Sequence, residues 1–385
     1  MTGPLKDIVV LDLTHVLAGP YAAMSLGDLG ARIIKVERPD GGDDTRAFPP
    51  FRDGMSGYFA AINRGKQSIA LDLKADADRA LFERLLARAD VVLENFRPGV
   101  MEKLGYGWDT LHARHPRLIY GAVSGFGHTG PEAGKPAYDM VVQARGGVMS
   151  VTGEEGRDPV RVGASIGDIA AGMFLAQGVL AALYERERTG LGRKVDVAML
   201  DGQLAILPHA IAMTHVTGHP PGPTGARHPL IAPFDTFHAE DRLFVIAAGN
   251  DALFSKLCGV LGLGELATDP KFATNAARAT NAALLKRRIE TVTLTEPAAH
   301  WLSVLDRAGI PCGPIQNLAE AMADPQVVAR HMVVDIADAA GNAAAFRGPG
   351  QPIKLSGSAD SATRPAAPAL DGDRDVILRW LDAAR

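Results

Sequence analysis

Only two of the 385 residues are cysteine, Cys258 and Cys312, and they lie far apart. Neither a disulfide framework nor the paired spacing of a zinc site can be built from them, which points to a reducing, cytoplasmic setting. No excess of positive charge is present either: 40 Lys and Arg against 44 Asp and Glu give a net charge of -4. Neutralising a phosphodiester chain takes concentrated cations, so a nucleic-acid partner is not expected. Long apolar runs are missing as well. The best, around 169–184, is broken by Gly172, Gln177 and Gly178 and is shorter than a spanning helix, so no membrane partner is expected. The opening Met1-Thr-Gly-Pro-Leu-Lys6 lacks the charged, apolar and cleavage regions of a secretory signal.

Several chemical signatures are absent too. The turn after the first strand-like run reads Thr14-His-Val-Leu-Ala-Gly-Pro20, without the Gly-x-Gly-x-x-Gly of a dinucleotide site. Gly125-Phe-Gly-His-Thr-Gly130 follows a strand but runs into Pro131, so no nicotinamide cofactor is expected. There is no phosphate-binding Walker loop and no Cys-x-x-Cys pair, so no metal is expected.

What is present is an ordinary globular composition, 47% hydrophobic and 22% charged, in a chain too long for one typical domain. Through the first 200 residues short apolar runs alternate with helical stretches. Strands are predicted at 8–13, 32–37, 68–73, 90–94, 118–123 and 194–199, and helices at 19–30, 76–89 and 168–189. That alternation is the pattern of a parallel sheet covered on both faces. Pro, Gly, His and Arg cluster at 218–233, a linker or active-site loop. Strands near 234–237 and 243–248 and helices at 282–293 and 298–308 form another unit, and the Ser/Ala/Pro-rich 356–368 is expected to run extended.

Asp168 opens the strongest helix and follows Gly167, a placement that suits an N-cap and would also keep a catalytic carboxylate ionised and exposed. Asp139, in Lys135-Pro-Ala-Tyr-Asp139, is open to the same two readings. Glu37-Arg-Pro39 and Asn95-Phe-Arg-Pro-Gly99 put polar groups just beyond strand ends, where open α/β sheets bind ligands. Arg46, Arg64, Lys66 and Lys103 are cations able to meet small-molecule phosphates, and His15 lies in the first turn.

Taken together, Ile8-Val-Val-Leu-Asp-Leu-Thr-His-Val-Leu-Ala-Gly-Pro20 and Gly27-Asp-Leu-Gly-Ala-Arg-Ile-Ile-Lys-Val-Glu-Arg-Pro39 resemble the opening of the class III CoA-transferases. Glu94-Asn-Phe-Arg-Pro-Gly99, Gly167-Asp168, Glu187-Arg-Thr-Gly190 and Gly309-Ile-Pro-Cys-Gly-Pro314 continue the resemblance in order. It implies a Rossmann-like large domain over 1–200, completed by about 336–385. A linker with an active-site loop would follow at 201–233, with a smaller α+β domain at 234–335. It also implies an interlocked-ring homodimer that uses coenzyme A as co-substrate, with acyl-CoA and carboxylic acids as partners. By position Asp168 matches the family's nucleophile. Val16, Ala18, Arg38, Leu71, Lys74, Asn95, Phe96, Arg97, Lys103, Lys135 and Met199 match CoA-contacting positions. His15, Leu17, Tyr138, Asp139, Arg227 and His228 are candidates for the acid substrate.

Racemase relatives of this family carry a histidine where this chain has Ala137, and a proton shuttle needs two acid–base groups. The resemblance therefore implies a transferase, with a 2-methylacyl-CoA racemase and a non-catalytic CoA-binding protein as the alternatives. The formyl-CoA branch has a glycine run and a glutamine where this chain has Thr224–Pro233 and Leu17. That departure points away from formyl and oxalate, and towards a dicarboxylate such as succinate met by Arg227 and His228.

Overall fold

Six short segments rich in Val, Ile and Leu pair side by side in one sheet, every pair parallel. In chain order they are β1 (Val9–Asp12), β2 (Arg32–Glu37), β3 (Gln67–Ala70), β4 (Val91–Glu94), β5 (Ile119–Ser124) and β6 (Lys194–Ala198). The structure, a computed structural model, describes residues 3–338, 341 and 345–383. Across the sheet the order is β3-β2-β1-β4-β5-β6. It reverses between β1 and β4, and the crevice beyond the C-terminal ends at such a reversal is where open α/β sheets bind ligands.

A parallel sheet must be covered on both faces. On one face α1 (Ala18–Asp28) and α7 (Ile166–Thr189) pack Ala22, Leu26, Leu175 and Val179 against Val10, Leu93 and Ile119. On the other, α3 (Asp76–Leu86) brings Phe82 and Leu85 onto Leu11, Ile34 and Val92. Between these come α2 (Gly57–Asn63), α4 (Val100–Leu104), α5 (Trp108–Arg114) and α6 (Asp139–Arg145), and α8 (Met199–Ala205) and α9 (Pro208–Thr217) follow β6.

The chain divides into two compact units, one of Met1–Met149, Arg161–Pro220 and Met322–Arg385, the other of Ser150–Val160 and Pro221–Ala321. The second unit has its own antiparallel sheet of β7 (Phe234–His238), β8 (Leu243–Ala247) and β9 (Cys312–Pro314). Its helices α10 (Asp251–Val260), α11 (Ala282–Thr293) and α12 (Ala298–Arg307) close a core around Phe237, Phe244, Phe254 and Trp301. The C-terminal segment rejoins the first unit. Asp371 and Asp373 accept from Ala70 N and Ser68 N at 2.8 and 2.9 Å, so they satisfy edge-strand donors of β3, and Ile377 packs beside Phe82.

Beyond shifts of a few residues at other ends, three features differ from the sequence prediction. The third strand stops at Ala70, because Asp72 closes a turn by accepting from Lys74 N at 3.0 Å. The Ser/Ala/Pro-rich tail contributes a short strand, Thr363–Arg364, paired with Val333–Ile336. α7 starts two residues before Asp168, at Ile166, for a reason found in the site itself.

By length and composition α7 is apolar enough to cross a membrane, yet half of its most apolar stretch is buried inside the protein. Gly172 is the point of closest approach: a Cβ there would stand 2.6 Å from the Ala18 carbonyl oxygen. Alanine is ordinarily the better helix residue by ~1 kcal/mol. The clash here is with backbone, which cannot rotate away, so the steric cost wins. Gly172→Ala is expected to destabilise the protein by about 1–3 kcal/mol, read as a lowered thermal midpoint.

Candidate active site

The crevice begins at the end of β1, where Asp12 is wholly buried with Lys35 and Lys66. Lys66 Nζ is 2.8 Å from Asp12 Oδ2 and also donates to Asn63 Oδ1 and the Pro20 carbonyl, at 2.8 and 3.1 Å. Burial alone would raise the Asp12 carboxyl, but the charges of Lys66 and Lys35 outweigh it and hold it at about 2. Burial, with Lys35 adding to it against the pull of Asp12, brings the Lys66 ammonium down to about 8. Lys35 donates to the Thr14 carbonyl at 2.7 Å and pairs with Asp43 at 2.9 Å.

This cluster fixes the turn that follows. Val16 sits at φ 66°, in the left-handed region. That conformation costs a β-branched residue about 1–3 kcal/mol. Asp43 Oδ1 accepts from Val16 N at 3.2 Å. From the other side of the crevice Asn95 pairs with the His15 backbone twice, accepting from its N at 2.9 Å and donating to its carbonyl at 2.8 Å. Asn95 thus bridges β4 and β1 at the strand reversal. Glu94 sets the next residue, accepting from Phe96 N at 2.8 Å while Tyr120 donates to its other oxygen at 3.1 Å. The His15 ring lies 5.6 Å from that of Phe96, and burial, against the pull of Asp43, lowers its pKa.

Phe96 is a wall common to three cavities along this edge. One of about 280 Å³ is lined by His15, Arg38 and Asp43. The second, about 380 Å³, is lined by Asn95, Arg97, Lys135 and Tyr138, and the third, about 240 Å³, by Arg38, Leu71 and Lys74. Arg38, Lys74, Arg97 and Lys135 are exposed around an apolar wall, which is a suitable arrangement for a ligand carrying both phosphates and apolar parts. Arg38 is paired with Asp44, and Lys135 with Glu132 at 2.7 Å.

Asp168 lies in the first turn of α7, not at its cap. The capping acceptor comes from elsewhere: Asp139, first residue of α6, accepts from Gly167 N at 2.8 Å. Its other oxygen accepts from Gln143 at 2.7 Å, and Gln143 in turn accepts from Val162 N at 2.9 Å. This imported cap lets the helix start early and leaves the Asp168 carboxyl out of the capping role. A Cβ at Gly167 would stand 2.7 Å from Val142 and 2.9 Å from Asp139, so the segment needs glycine there. Asp168 is half-buried, and burial, with Asp139 as a like charge beside it, pushes its carboxyl up to about 7. The expectation of an exposed, readily ionised carboxylate is therefore corrected. Tyr58, half-buried, is raised to about 12 by burial and by the charges of Asp168, Asp43 and Asp139, so its hydroxyl stays protonated.

The remaining sequence candidates fall as follows. Ala18 and Met199 are buried in the core beneath the helices, Leu17 is buried at the start of α1, and Lys103 is exposed on α4. Three of the cations proposed for phosphates are engaged within the fold. Arg46 forms a double bond pattern with Glu37 at 2.8 and 2.7 Å, Arg64 one with Asp28 at 2.6 and 2.8 Å, and Lys66 is buried on Asp12. Arg227 and His228 belong to the second unit. Their loop is built rather than loose: His228 Nδ1 accepts from Leu230 N and Ile231 N at 3.2 and 3.1 Å, and buried Arg278 donates to the Ala232 carbonyl at 2.6 Å. Asp43, Tyr58 and Gln143 escaped the sequence reading. Only Asp43 has a visible signal, the Asp43-Asp-Thr45 pattern of a helical start, whose cap it forms by accepting from Thr45 N.

The family described as CoA-transferase family III matches residues 5–374. The chain is 49% identical to the acetyl-CoA:oxalate CoA-transferase of Acetobacter aceti, over 98% of this chain and 95% of that one. It is 41% identical to the succinate–glutarate CoA-transferase of Agrobacterium fabrum, over 86% and 85% of the two chains. Among solved structures, a CAIB/BAIF family protein from Brucella suis superposes with a TM-score of 0.87 at 40% identity, over 99% of this chain and all of that one.

The raised Asp168 carboxyl has a stability consequence. Its folded value, about 7, lies above the ordinary 3.8, so the stability it contributes is full below about 3.8 and is lost as pH rises from there to about 7. Asp168→Asn is expected to raise the thermal midpoint at pH 8 by roughly 2–4 °C, with the gain shrinking towards pH 5. A gain independent of pH would show that ionisation is not its source.

Proposed function

The chain belongs to CoA-transferase family III, and from that premise we propose that it moves CoA to a small dicarboxylic acid through an aspartyl-CoA thioester on Asp168. The observation that carries this reading is the isolated, half-buried Asp168 carboxyl on a helix start held by another residue, Asp139.

The ionised carboxylate attacks the thioester carbonyl, the C–S bond breaks, and a mixed anhydride and CoA thiolate form. The thiolate attacks the Asp168 carbonyl carbon, breaks its bond to the anhydride oxygen and releases the donor acid. The acceptor carboxylate then displaces the thiolate from Asp168. The thiolate finally attacks the acceptor's carbonyl and frees the Asp168 carboxylate. Every intermediate is an activated acyl group, so no nucleoside triphosphate is needed. Tyr58, kept protonated, is a hydroxyl donor for charge that develops on oxygen.

In this reading CoA occupies the crevice along Phe96, with Arg38, Lys74, Arg97 and Lys135 towards its phosphates. Within the second unit, Arg227 and His228 offer a cation and an N–H donor suited to a carboxylate. Two backbone N–H groups donating to Nδ1 put the ring proton of His228 on Nε2. The relatives named for oxalate, succinate and glutarate support a dicarboxylate. The racemase alternative is weaker: Ala137 is packed on Gly125, and His128 contacts Lys194 at 3.0 Å. An interlocked homodimer is part of the proposal. α9 has no buried residue and leaves Ile211 and Val216 uncovered, as an assembly surface would. Two free cysteines support a cytoplasmic setting.

The direct test mixes acyl-CoA donors with oxalate, succinate or glutarate, and traps the enzyme adduct with hydroxylamine or borohydride. Modification of Asp168 and loss of transfer by at least about 10³-fold in Asp168→Ala are expected, since removing a nucleophile removes the covalent path. Full transfer in that variant would sink the mechanism. Solvent deuterium at C2 of a 2-methylacyl-CoA without any acceptor would favour the racemase.

Attack needs the ionised carboxylate, so kcat/KM is expected to rise with pH through about 7. Asp139→Asn removes the like charge but keeps an acceptor for Gly167 N. The inflection is expected to move to lower pH while staying above 3.8, because burial, the larger cause, remains. An unmoved inflection in the pH profile would remove Asp139 from that role.

A further inference from the structure

We propose that Asp43 is a positioning residue for CoA transfer, holding the His15–Val16 turn in the left-handed conformation that shapes the crevice wall. The proposal rests on the reading that CoA lies in that crevice.

Valine is among the residues least suited to φ 66°, so the turn does not hold this shape by local preference. External bonds must hold it. Asn95 binds His15 on both its N and its carbonyl, and Asp43 Oδ1 takes Val16 N at 3.2 Å. Lys35 grips the residue before, donating to the Thr14 carbonyl at 2.7 Å, and it also pairs with Asp43 Oδ2 at 2.9 Å. The ion pair therefore holds the turn at both ends, Thr14 O and Val16 N.

Asp43 is itself immobilised. It is buried, its Oδ1 also accepts from Thr45 N and Oγ1 at 2.9 and 2.7 Å, and its own N–H donates to Glu37 Oε2 at 2.9 Å. It lines the same cavity as His15 and Arg38. Besides capping the turn at Thr45, Oδ1 is the side-chain acceptor that reaches Val16 N, a strained backbone position in the crevice wall.

The distinguishing test uses the complete protein and the acyl-CoA donor on which it turns over. It combines Asp43→Ala with Val16→Gly in a double-mutant cycle, because glycine adopts this φ without strain. Asp43→Ala is expected to raise KM for the acyl-CoA about tenfold and to change kcat less than about threefold. In the Val16→Gly background the same change should raise KM by less than about threefold. Equal rises in both backgrounds, or a fall in kcat with KM constant, would overturn the proposal.

Should Asp43→Ala not fold, Asp43→Asn keeps an acceptor for Val16 N and removes the charge facing Lys35. It is expected to lower the thermal midpoint while KM stays within about threefold. A tenfold rise in KM that Val16→Gly leaves in place would overturn the proposal. Arg38→Ala reads the crevice assignment separately. It should raise KM in every background, and a KM unmoved by it would discard the crevice as the CoA site, whatever the Asp43 coupling shows.

Discussion

Beneath the first turn of the sheet, two lysines and two aspartates are shut away from water together, Lys35 and Lys66 with Asp12 and Asp43. Such a cluster contributes little net stability, since desolvation of each ion costs several kcal/mol and the mutual attraction roughly repays it. Its value is geometric. Breaking one partner leaves an uncompensated charge, so the arrangement has few neighbouring conformations of similar energy. Each lysine also grips main chain: Lys35 the Thr14 carbonyl, Lys66 the Pro20 carbonyl. The segment between them is the turn that bounds the crevice. Apolar residues in these places would pack as well, but would supply no directed bond to hold Val16 against its preference.

At Asp168 two electrostatic effects oppose each other. An Asp in the first turn of a helix is stabilised in its charged form by about 0.3–1 kcal/mol, less than one pKa step. Burial and the neighbouring Asp139 carry the carboxyl from 3.8 to about 7. That is a cost on the order of 4 kcal/mol, so the dipole loses. A carboxylate that is costly to ionise is also a better nucleophile once ionised, because its negative charge is poorly stabilised by its surroundings. The imported cap makes this possible. Had Asp168 capped its own helix, its oxygens would be bonded to backbone N–H groups and its basicity depressed.

Most of the sheet was legible in the sequence, because buried parallel strands are short runs of Val, Ile and Leu bounded by turn residues. β2 and the helix Ala282–Thr293 fall where periodicity put them. Asp168 was legible as a candidate through its position after Gly167, and as the proposed nucleophile through resemblance to the class III CoA-transferases. Its state was not. The Asp139 charge comes from another helix, 29 residues earlier in sequence, and no local pattern announces it. Arg46, Arg64 and Lys66 misled for the same reason: a cation's availability depends on whether Glu37, Asp28 or Asp12 already holds it. The left-handed Val16 was invisible in principle, since the sequence preference there points the other way.

Leu17 is a departure whose weight depends on where the side chain sits. A leucine stands where the formyl-CoA branch has a substrate-holding glutamine. In this structure Leu17 is buried at the start of α1, where an apolar side chain packs and a polar one would need a partner. A dicarboxylate still has to have its second charge matched, because an unpaired carboxylate in a site closed to water costs several kcal/mol. Cations or N–H donors must do this, and a side chain at position 17 is only one place from which to supply them. The identity of that residue therefore constrains how an acid is held more than which acid it is.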